Sequence, residues 1–152
     1  MKLDELRAKG TIDIEDDIEF RTHADVMRLF GKDSKNLQPS FLRHPHEAGV
    51  HVWFPIFYQD PDNDWENTWG QNEAAVFERK LVGNEQYLQE QLDQPERHVR
   101  ILFAKIAPFG RVFYKFKGIY KLDPDLSRKA KKAAYRRIAT SAKLYHPGLR
   151  RS

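Results

Sequence analysis

Residues 111–121 combine aromatic and basic side chains in a strand-like alternation. Because neighbouring side chains of a strand point to opposite faces, one predicted face carries Val112, Tyr114, Phe116 and Tyr120. The other face carries a lysine row, Lys115, Lys117 and Lys121. Lysine rows follow phosphate backbones, and aromatic rings stack on bases. We therefore predict that the lysine face contacts phosphates and that the aromatic face belongs to the core.

Further cations follow this segment along the chain. The predicted phosphate-binding residues are Lys115, Lys117, Lys121, Arg128, Lys131, Arg136 and Arg137. Residues 100–152 hold 15 Lys and Arg against two acidic residues, a net charge of +13, whereas residues 1–99 carry −9. This asymmetry favours a polyanionic partner, namely nucleic acid. The acidic half either covers the back of the domain or partly neutralises the basic half.

Three tryptophans, Trp53, Trp65 and Trp69, lie within 17 positions of one another. Trp65 and Trp69 fall in a segment rich in Asp and Asn, residues 59–72, which is predicted to be a loop. A loop of this composition can stack on a flipped base and hydrogen-bond its edge. Stacking and core packing are equally open for Trp65 and Trp69, whereas Trp53, in a β-prone run, favours the core.

A nuclease-like pattern offers an enzymatic alternative. Asp62 precedes Glu78 and Lys80 in the order of a PD-(D/E)xK motif, in which two carboxylates bind a divalent metal and the lysine stabilises charge. The motif is short and the chain is rich in acids, so a non-enzymatic binding module is preferred.

Three histidines, His44, His46 and His51, lie near Glu47. A zinc site requires further anchored ligands, which the sequence does not show, and the chain has no Cys. We predict surface histidines, with no metal site and no cofactor.

Hydrophobic periodicity predicts an α+β fold with a small curved antiparallel sheet or β-barrel and short flanking helices. Helices are predicted at residues 2–9, 23–30 and 84–92, with a helical turn over 128–133. Thr22 is the predicted N-cap of the second helix, and Asp125 or Ser127 that of the helical turn. Predicted strands cover 50–58, 74–79, 99–106, 112–122 and 135–145. The chain is expected to form a single domain, 1–152, with an N-terminal extension over 1–19, a core over 20–145 and a frayed tail over 146–152. No apolar run has the roughly 18 residues of a membrane span, so a cytoplasmic protein is expected.

Several segments resemble the PUA-like superfamily. They are Phe20–Val26, Val52–Pro55, Trp65–Asn67, Arg111–Asp123 and Tyr135–Thr140. Within this superfamily, the chain is most similar to the SRA-like and EVE-like modules that accompany restriction nucleases. The resemblance implies a small β-barrel that reads a modified base flipped into an aromatic pocket.

The same resemblance implies roles for individual residues and partners. Trp53 and Trp65 are the candidates for base stacking, Asn67 for reading the base edge, and Tyr114 or Tyr120 for the pocket wall. Trp69 is a further base-binding candidate because of the composition of its segment. The expected ligand is DNA rather than RNA, with a nuclease as partner. Two alternatives remain open: the metal-dependent nuclease, and a protein-interaction domain acting through its acidic half.

Overall fold

The computed structural model describes residues 3–33 and 39–145 of the chain. The predicted tail, 146–152, lies outside the described residues. The helices are α1 (Leu3–Lys9), α2 (His23–Arg28), α3 (Asn84–Leu92) and α4 (Pro124–Ala130). The strands are β1 (Thr11–Asp13), β2 (Phe41–Arg43), β3 (Val50–Trp53), β4 (Trp65–Gly70), β5 (Ala75–Lys80), β6 (Val99–Ile106), β7 (Phe113–Leu122), β8 (Ala133–Ala139) and β9 (Ser141–Lys143). No helix in the described part of the chain has the length and apolarity to cross a membrane.

Seven strands form one curved sheet in the order β2-β3-β6-β7-β8-β5-β4. All neighbouring strands are antiparallel except β3 and β6, which are parallel. The side-chain amide of Asn67 on β4 donates a hydrogen bond to the carbonyl of Ile56, just after β3, at 3.3 Å. Because β3 and β4 lie near opposite ends of the strand order, this contact shows that the sheet curls without closing. The predicted α+β class is confirmed.

The two faces of the sheet carry separate apolar clusters. Helices α1 and α2 pack on one face through Leu6, Val26 and Met27. Thr22 begins α2 as predicted, since its Oγ1 accepts a hydrogen bond from the backbone N–H of Asp25. Helix α3 packs on the other face through Tyr87. We call these the α1/α2 face and the α3 face.

A β-bulge in β7 moves its aromatic side chains from one face to the other. Leu102 of β6 pairs with Gly118, but the next residue, Phe103, pairs with Phe116, so Lys117 is the extra residue. Gly118 has φ +123°, and a Cβ there would lie 2.7 Å from the carbonyl oxygen of Ala139. The prediction of one aromatic face was therefore wrong: Tyr114 and Phe116 pack on the α1/α2 face, and Tyr120 on the α3 face.

Three further predictions need correction. Residues 65–70 were predicted to be loop but form β4, in which half-buried Trp65, Asn67 and Trp69 alternate with exposed residues. The predicted third strand, 135–145, is divided between β8 and β9, and β9 pairs with β1 in a separate two-stranded sheet. Helix α4 begins earlier than predicted because Asp123, rather than Asp125 or Ser127, accepts the capping hydrogen bond from the N–H of Leu126.

The prediction of surface histidines was wrong for His44 and His51, which are both buried. His44 Nδ1 accepts hydrogen bonds from the backbone N–H groups of His46 and Glu47 at 3.0 and 3.1 Å. The His51 ring stacks on Phe41 with ring centroids 4.2 Å apart. Both histidines therefore help to build the β2–β3 hairpin.

Candidate functional site

A cavity of about 240 Å³ lies on the α3 face of the sheet. Its walls come from β2, the end of β3, β4, β5, α3 and the start of β6. The curl of the sheet brings β4 opposite the segment after β3. Four residues singled out in the sequence therefore line the same space: Trp53, Trp65, Asn67 and Glu78. We call it the aromatic cavity.

Aromatic rings form most of its wall. Trp53 is buried and packs against Tyr135 with centroids 5.0 Å apart. Trp65 is half-buried, and its ring meets Tyr87 edge to face at 4.5 Å. Asn63 fixes the Trp65 backbone, since its side-chain amide donates to the Trp65 carbonyl at 2.9 Å. Trp53 is therefore both a core residue and a wall of the cavity, and Trp65 presents a fixed ring for stacking.

Asn67 supplies a polar group with unused hydrogen-bonding capacity. Its amide nitrogen is held by the carbonyl of Ile56, as described above. Its Oδ1 is buried and has no hydrogen-bond partner among the described residues. Because an unpaired buried acceptor is unfavourable by about 1–3 kcal/mol, a ligand donor that reached Oδ1 would be strongly favoured.

A buried carboxyl group lies on the polar side of the cavity. The Tyr87 hydroxyl donates to Glu78 Oε1, and Arg100 Nη1 lies 3.7 Å from the same oxygen. Burial raises the pKa of Glu78, and the opposing effects of Arg100 and Tyr87 do not cancel this rise. In its neutral form a carboxyl group both donates and accepts, so Glu78 can pair with a donor and an acceptor on one edge of a heterocycle.

Besides its contact with Glu78, Arg100 is held by aromatic rings and by a hydrogen bond to Gln91. Its guanidinium group lies 4.3 Å from the centroid of Phe41, 4.8 Å from Trp53 and 4.4 Å from Tyr135. Its Nη2 donates to Gln91 Oε1 at 2.8 Å. These cation–π contacts and hydrogen bonds stabilise the charge in the absence of solvent and fix the rings that border the cavity.

The other predicted base-binding residues lie outside this cavity. Trp69 stacks on Phe57 with parallel rings 4.2 Å apart. Tyr120 is buried, and its hydroxyl donates to the carbonyl of Glu73 at 2.6 Å. Tyr114 packs on the α1/α2 face against His23, with ring centroids 5.0 Å apart. The structure thus brings together Trp53, Trp65 and Asn67, but not Trp69, Tyr114 or Tyr120.

Most of the predicted phosphate-binding residues face acidic side chains. Lys115 pairs with Asp17 at 2.7 Å, and Lys117 pairs with Glu73 at 3.3 Å. Three arginines have acidic neighbours as well: Arg128 (Asp125, 3.6 Å), Arg136 (Asp123, 2.6 Å) and Arg137 (Glu73, 4.0 Å). Lys121 and Lys131 are exposed. Asp17 and Glu73 of the acidic half therefore pair with Lys115, Lys117 and Arg137, which partly neutralises the basic half, whereas Asp123 and Asp125 belong to the basic half itself.

The three residues of the nuclease-like pattern lie in different environments. Glu78 is buried beside the aromatic cavity, whereas Asp62 is exposed in the segment before β4 and is not part of the cavity wall. Lys80 Nζ lies 5.6 Å from the centroid of Trp65. The described residues contain no group of three His, Asp or Glu side chains arranged to hold a metal ion.

Sequence reasoning missed Phe41, Tyr87, Gln91 and Arg100. Two signals were present in the sequence. Tyr87 and Gln91 are four residues apart on a predicted helix, and therefore on one side of it. Arg100 interrupts the apolar run of β6, and an arginine inside such a strand requires buried partners.

Comparison with known proteins identifies the family of the chain and a solved structure with a similar fold. The sequence pattern of the SET and RING associated (SRA) domain matches residues 5–144. The structure is similar to that of the 5-hydroxymethylcytosine-specific restriction enzyme AbaSI, with a TM-score of 0.77 and 25% sequence identity. The match covers 95% of this chain but only 45% of that enzyme's chain. A comparison with curated proteins found no match.

The fold and these matches define a DNA-binding module of the class that reads modified bases. The chain belongs to the SRA domain family. The predicted resemblance to an SRA-like, restriction-associated module is thereby confirmed.

Proposed function

We propose that this chain reads a modified cytosine in DNA by holding the flipped base in the aromatic cavity. The observation that carries the proposal is that Asn67, whose buried Oδ1 has no hydrogen-bond partner among the described residues, lines one cavity together with Trp53 and Trp65. A flipped base needs a ring to stack on and polar groups at its edge, and this cavity offers both. Trp65 is proposed as the stacking ring and Trp53 as the wall.

The polar groups match a cytosine edge. Cytosine presents an amino donor next to a ring-nitrogen acceptor, and a neutral carboxyl group complements both. Glu78, whose pKa is raised by burial, is proposed for this contact. Asn67 Oδ1 is then available for a second donor, such as the hydroxyl group of a modified base. The name of the similar enzyme makes 5-hydroxymethylcytosine the first modification to test.

The proposed activity is binding rather than cleavage. Glu78, the carboxylate of the nuclease-like pattern, is hydrogen-bonded to Tyr87 and belongs to the cavity. In the similar restriction enzyme, a matching region forms 45% of the chain. We propose that strand cleavage near the base read by this chain is carried out by a nuclease partner.

The test compares Trp65 with Trp69, two tryptophans on the same strand. Fluorescence anisotropy would give the affinity of the protein for duplexes that contain cytosine, 5-methylcytosine or 5-hydroxymethylcytosine at one position. We expect the wild type to bind a modified duplex more tightly than the cytosine duplex. Trp65→Ala should lower the ratio of these two affinities by about tenfold or more. Trp69→Ala, which leaves the cavity wall intact, should keep the preference.

Two results would contradict the proposal. One is equal affinity of the wild type for all three duplexes. The other is an unchanged preference in Trp65→Ala, once thermal melting has shown that both variants are folded.

A further inference from the structure

A second cavity, of about 620 Å³, lies beside the aromatic cavity. It is bordered by the β2–β3 hairpin and by the 3-10 turn Pro95–Arg97, and Arg97 lines both cavities. We infer that this arginine cavity, through Arg43, Arg97 and His51, binds a DNA phosphodiester adjacent to the flipped nucleotide. The inference rests on the proposed function, because it assigns the backbone contact of the same bound nucleotide.

The first argument is that its arginines are not neutralised. Within residues 3–33 and 39–145, neither Arg43 nor Arg97 forms an ion pair with an acidic side chain. Arg97 Nη1 donates to Gln94 Oε1 at 3.1 Å, which positions the guanidinium group without cancelling its charge. A phosphate that bound Lys115 or Lys117 would have to compete with a carboxylate, whereas a phosphate that bound these arginines would not.

The second argument is the state of His51, which is buried in the wall of this cavity. Its Nδ1 has no hydrogen-bond partner in the described part of the chain. Burial, together with the positive charges of Arg100, Arg97 and Arg43, lowers the pKa of His51 to about 4. The imidazole is therefore neutral near pH 7, and the three guanidinium groups that contribute to its lowered pKa make the surrounding positive charge favourable for an anion.

The acidic residues of the cavity do not remove this potential. Glu47 Oε2 lies 3.6 Å from His44 Nε2 and so faces the neighbouring histidine. Glu96 is exposed, and its effect on the pKa of His51 is smaller than that of any of the three arginines. The net field at His51 is thus set by the arginines.

The third argument is that the two cavities share structural elements. The ring of Phe41 stacks on His51 on one side of the wall and lies 4.3 Å from the Arg100 guanidinium group on the other. The carbonyl of Arg97 accepts a hydrogen bond from Arg100 Nε at 3.0 Å. Because Arg97 borders both spaces, a nucleotide with its base in the aromatic cavity and a phosphate in the arginine cavity would pass beside Arg97.

The experiment measures how the affinity for duplex DNA depends on salt. Each phosphate contact contributes about 0.9 to the slope of log K against log salt. We expect Arg43→Gln and Arg97→Gln each to reduce that slope by about 0.9, equally for modified and unmodified duplexes. Lys115→Gln, which removes a cation that is already paired with Asp17, should leave the slope unchanged.

A second arm places the contact on the DNA. A duplex with a neutral methylphosphonate next to the modified base should bind the wild type about tenfold more weakly. The Arg97→Gln variant should bind the methylphosphonate duplex and the unaltered duplex with equal affinity. Unchanged slopes for both arginine variants, with the modified-base preference intact, would overturn the inference and leave the proposed function standing. A reduced slope without any base preference would support the phosphate site and contradict the proposed function.

Discussion

Two basic regions of this molecule differ in what their charges face. On β7, Lys115 and Lys117 each lie beside a carboxylate. Beside the β2–β3 hairpin, the guanidinium group of Arg97 lies 5.2 Å from the ring centroid of Phe41, and among the described residues neither Arg97 nor Arg43 forms an ion pair with an acidic side chain. Aromatic rings hold a cation in place without neutralising it, whereas a carboxylate cancels its charge.

This difference shows why a count of charges does not locate an anion site. The C-terminal third of the sequence holds most of the excess positive charge, but Asp17 and Glu73 fold against it. The arginine cavity uses fewer cations, Arg43 from β2 and Arg97 from the 3-10 turn. They are available to a phosphate because, among the described residues, they are not paired with carboxylates, and not because they are numerous.

The largest expected effect comes from matched arginine changes in the two regions. Arg100→Gln removes a cation enclosed by three rings and leaves Glu78 buried without its charged neighbour. We expect its free energy of unfolding, from urea denaturation, to fall by about 3 kcal/mol. Arg136→Gln breaks an exposed pair with Asp123 and should lower it by at most about 1 kcal/mol. Equal losses of stability in Arg100→Gln and Arg136→Gln would show that the cations of the two regions are held equally strongly.

A second prediction concerns the bulge that orients the β7 region. Gly118→Ala would place a Cβ against the carbonyl of Ala139 at a positive φ, and we expect a loss of about 2 kcal/mol or more. Gly110→Ala is the matched control: it also has positive φ, +77°, but its Cβ would meet nothing within 4 Å. It should lose about 1 kcal/mol. Equal stability of the two variants would contradict the requirement for glycine at the bulge.

Much of the fold could be predicted from the sequence because it depends on local patterns. The apolar run of β6 predicts that strand with its observed bounds, Val99–Ile106, and Thr22 marks the start of α2. Strand β4 was missed because its preceding Asp and Asn residues indicate a loop. The change of face at Gly118 was missed because a bulge is defined by the pairing of two strands, which one strand's alternation does not reveal.

The candidate site could be predicted only in part. Trp65 and Asn67 stood out as an aromatic residue and an amide in one polar segment. Glu78 was noticed too, but as a metal ligand, because its partner Tyr87 comes from a helix and Arg100 from another strand. Contacts of this kind depend on the curl of the sheet, and no spacing in the sequence encodes them.

A pH effect distinguishes the arginine cavity from β7. The unfolded chain protonates His51 near pH 6.5, but the folded chain does so only near pH 4. Between these values the unfolded state binds more protons, so the contribution of His51 to stability, complete above pH 6.5, is lost as the pH falls toward 4. We expect the free energy of unfolding, measured by urea denaturation, to fall less between pH 7 and pH 5 for His51→Gln than for the wild type. An identical decrease would contradict the lowered pKa of His51.

The smallest expected effect is the coupling between Lys117 and Glu73. Their contact at 3.3 Å is partly exposed, so a double-mutant cycle with Lys117→Gln and Glu73→Gln should give less than about 1 kcal/mol. A coupling above about 2 kcal/mol would mean that the β7 pair is held as firmly as a buried one, and the contrast between the regions would fail.

The most direct test of the central claim is a crystal structure of the protein with a short duplex carrying one 5-hydroxymethylcytosine. The account predicts that this base leaves the helix and lies in the aromatic cavity, with its ring against Trp65 and a donor within hydrogen-bonding distance of Asn67 Oδ1. A base that stays stacked in the duplex, or that enters another part of the molecule while the aromatic cavity stays free of DNA, would contradict the account.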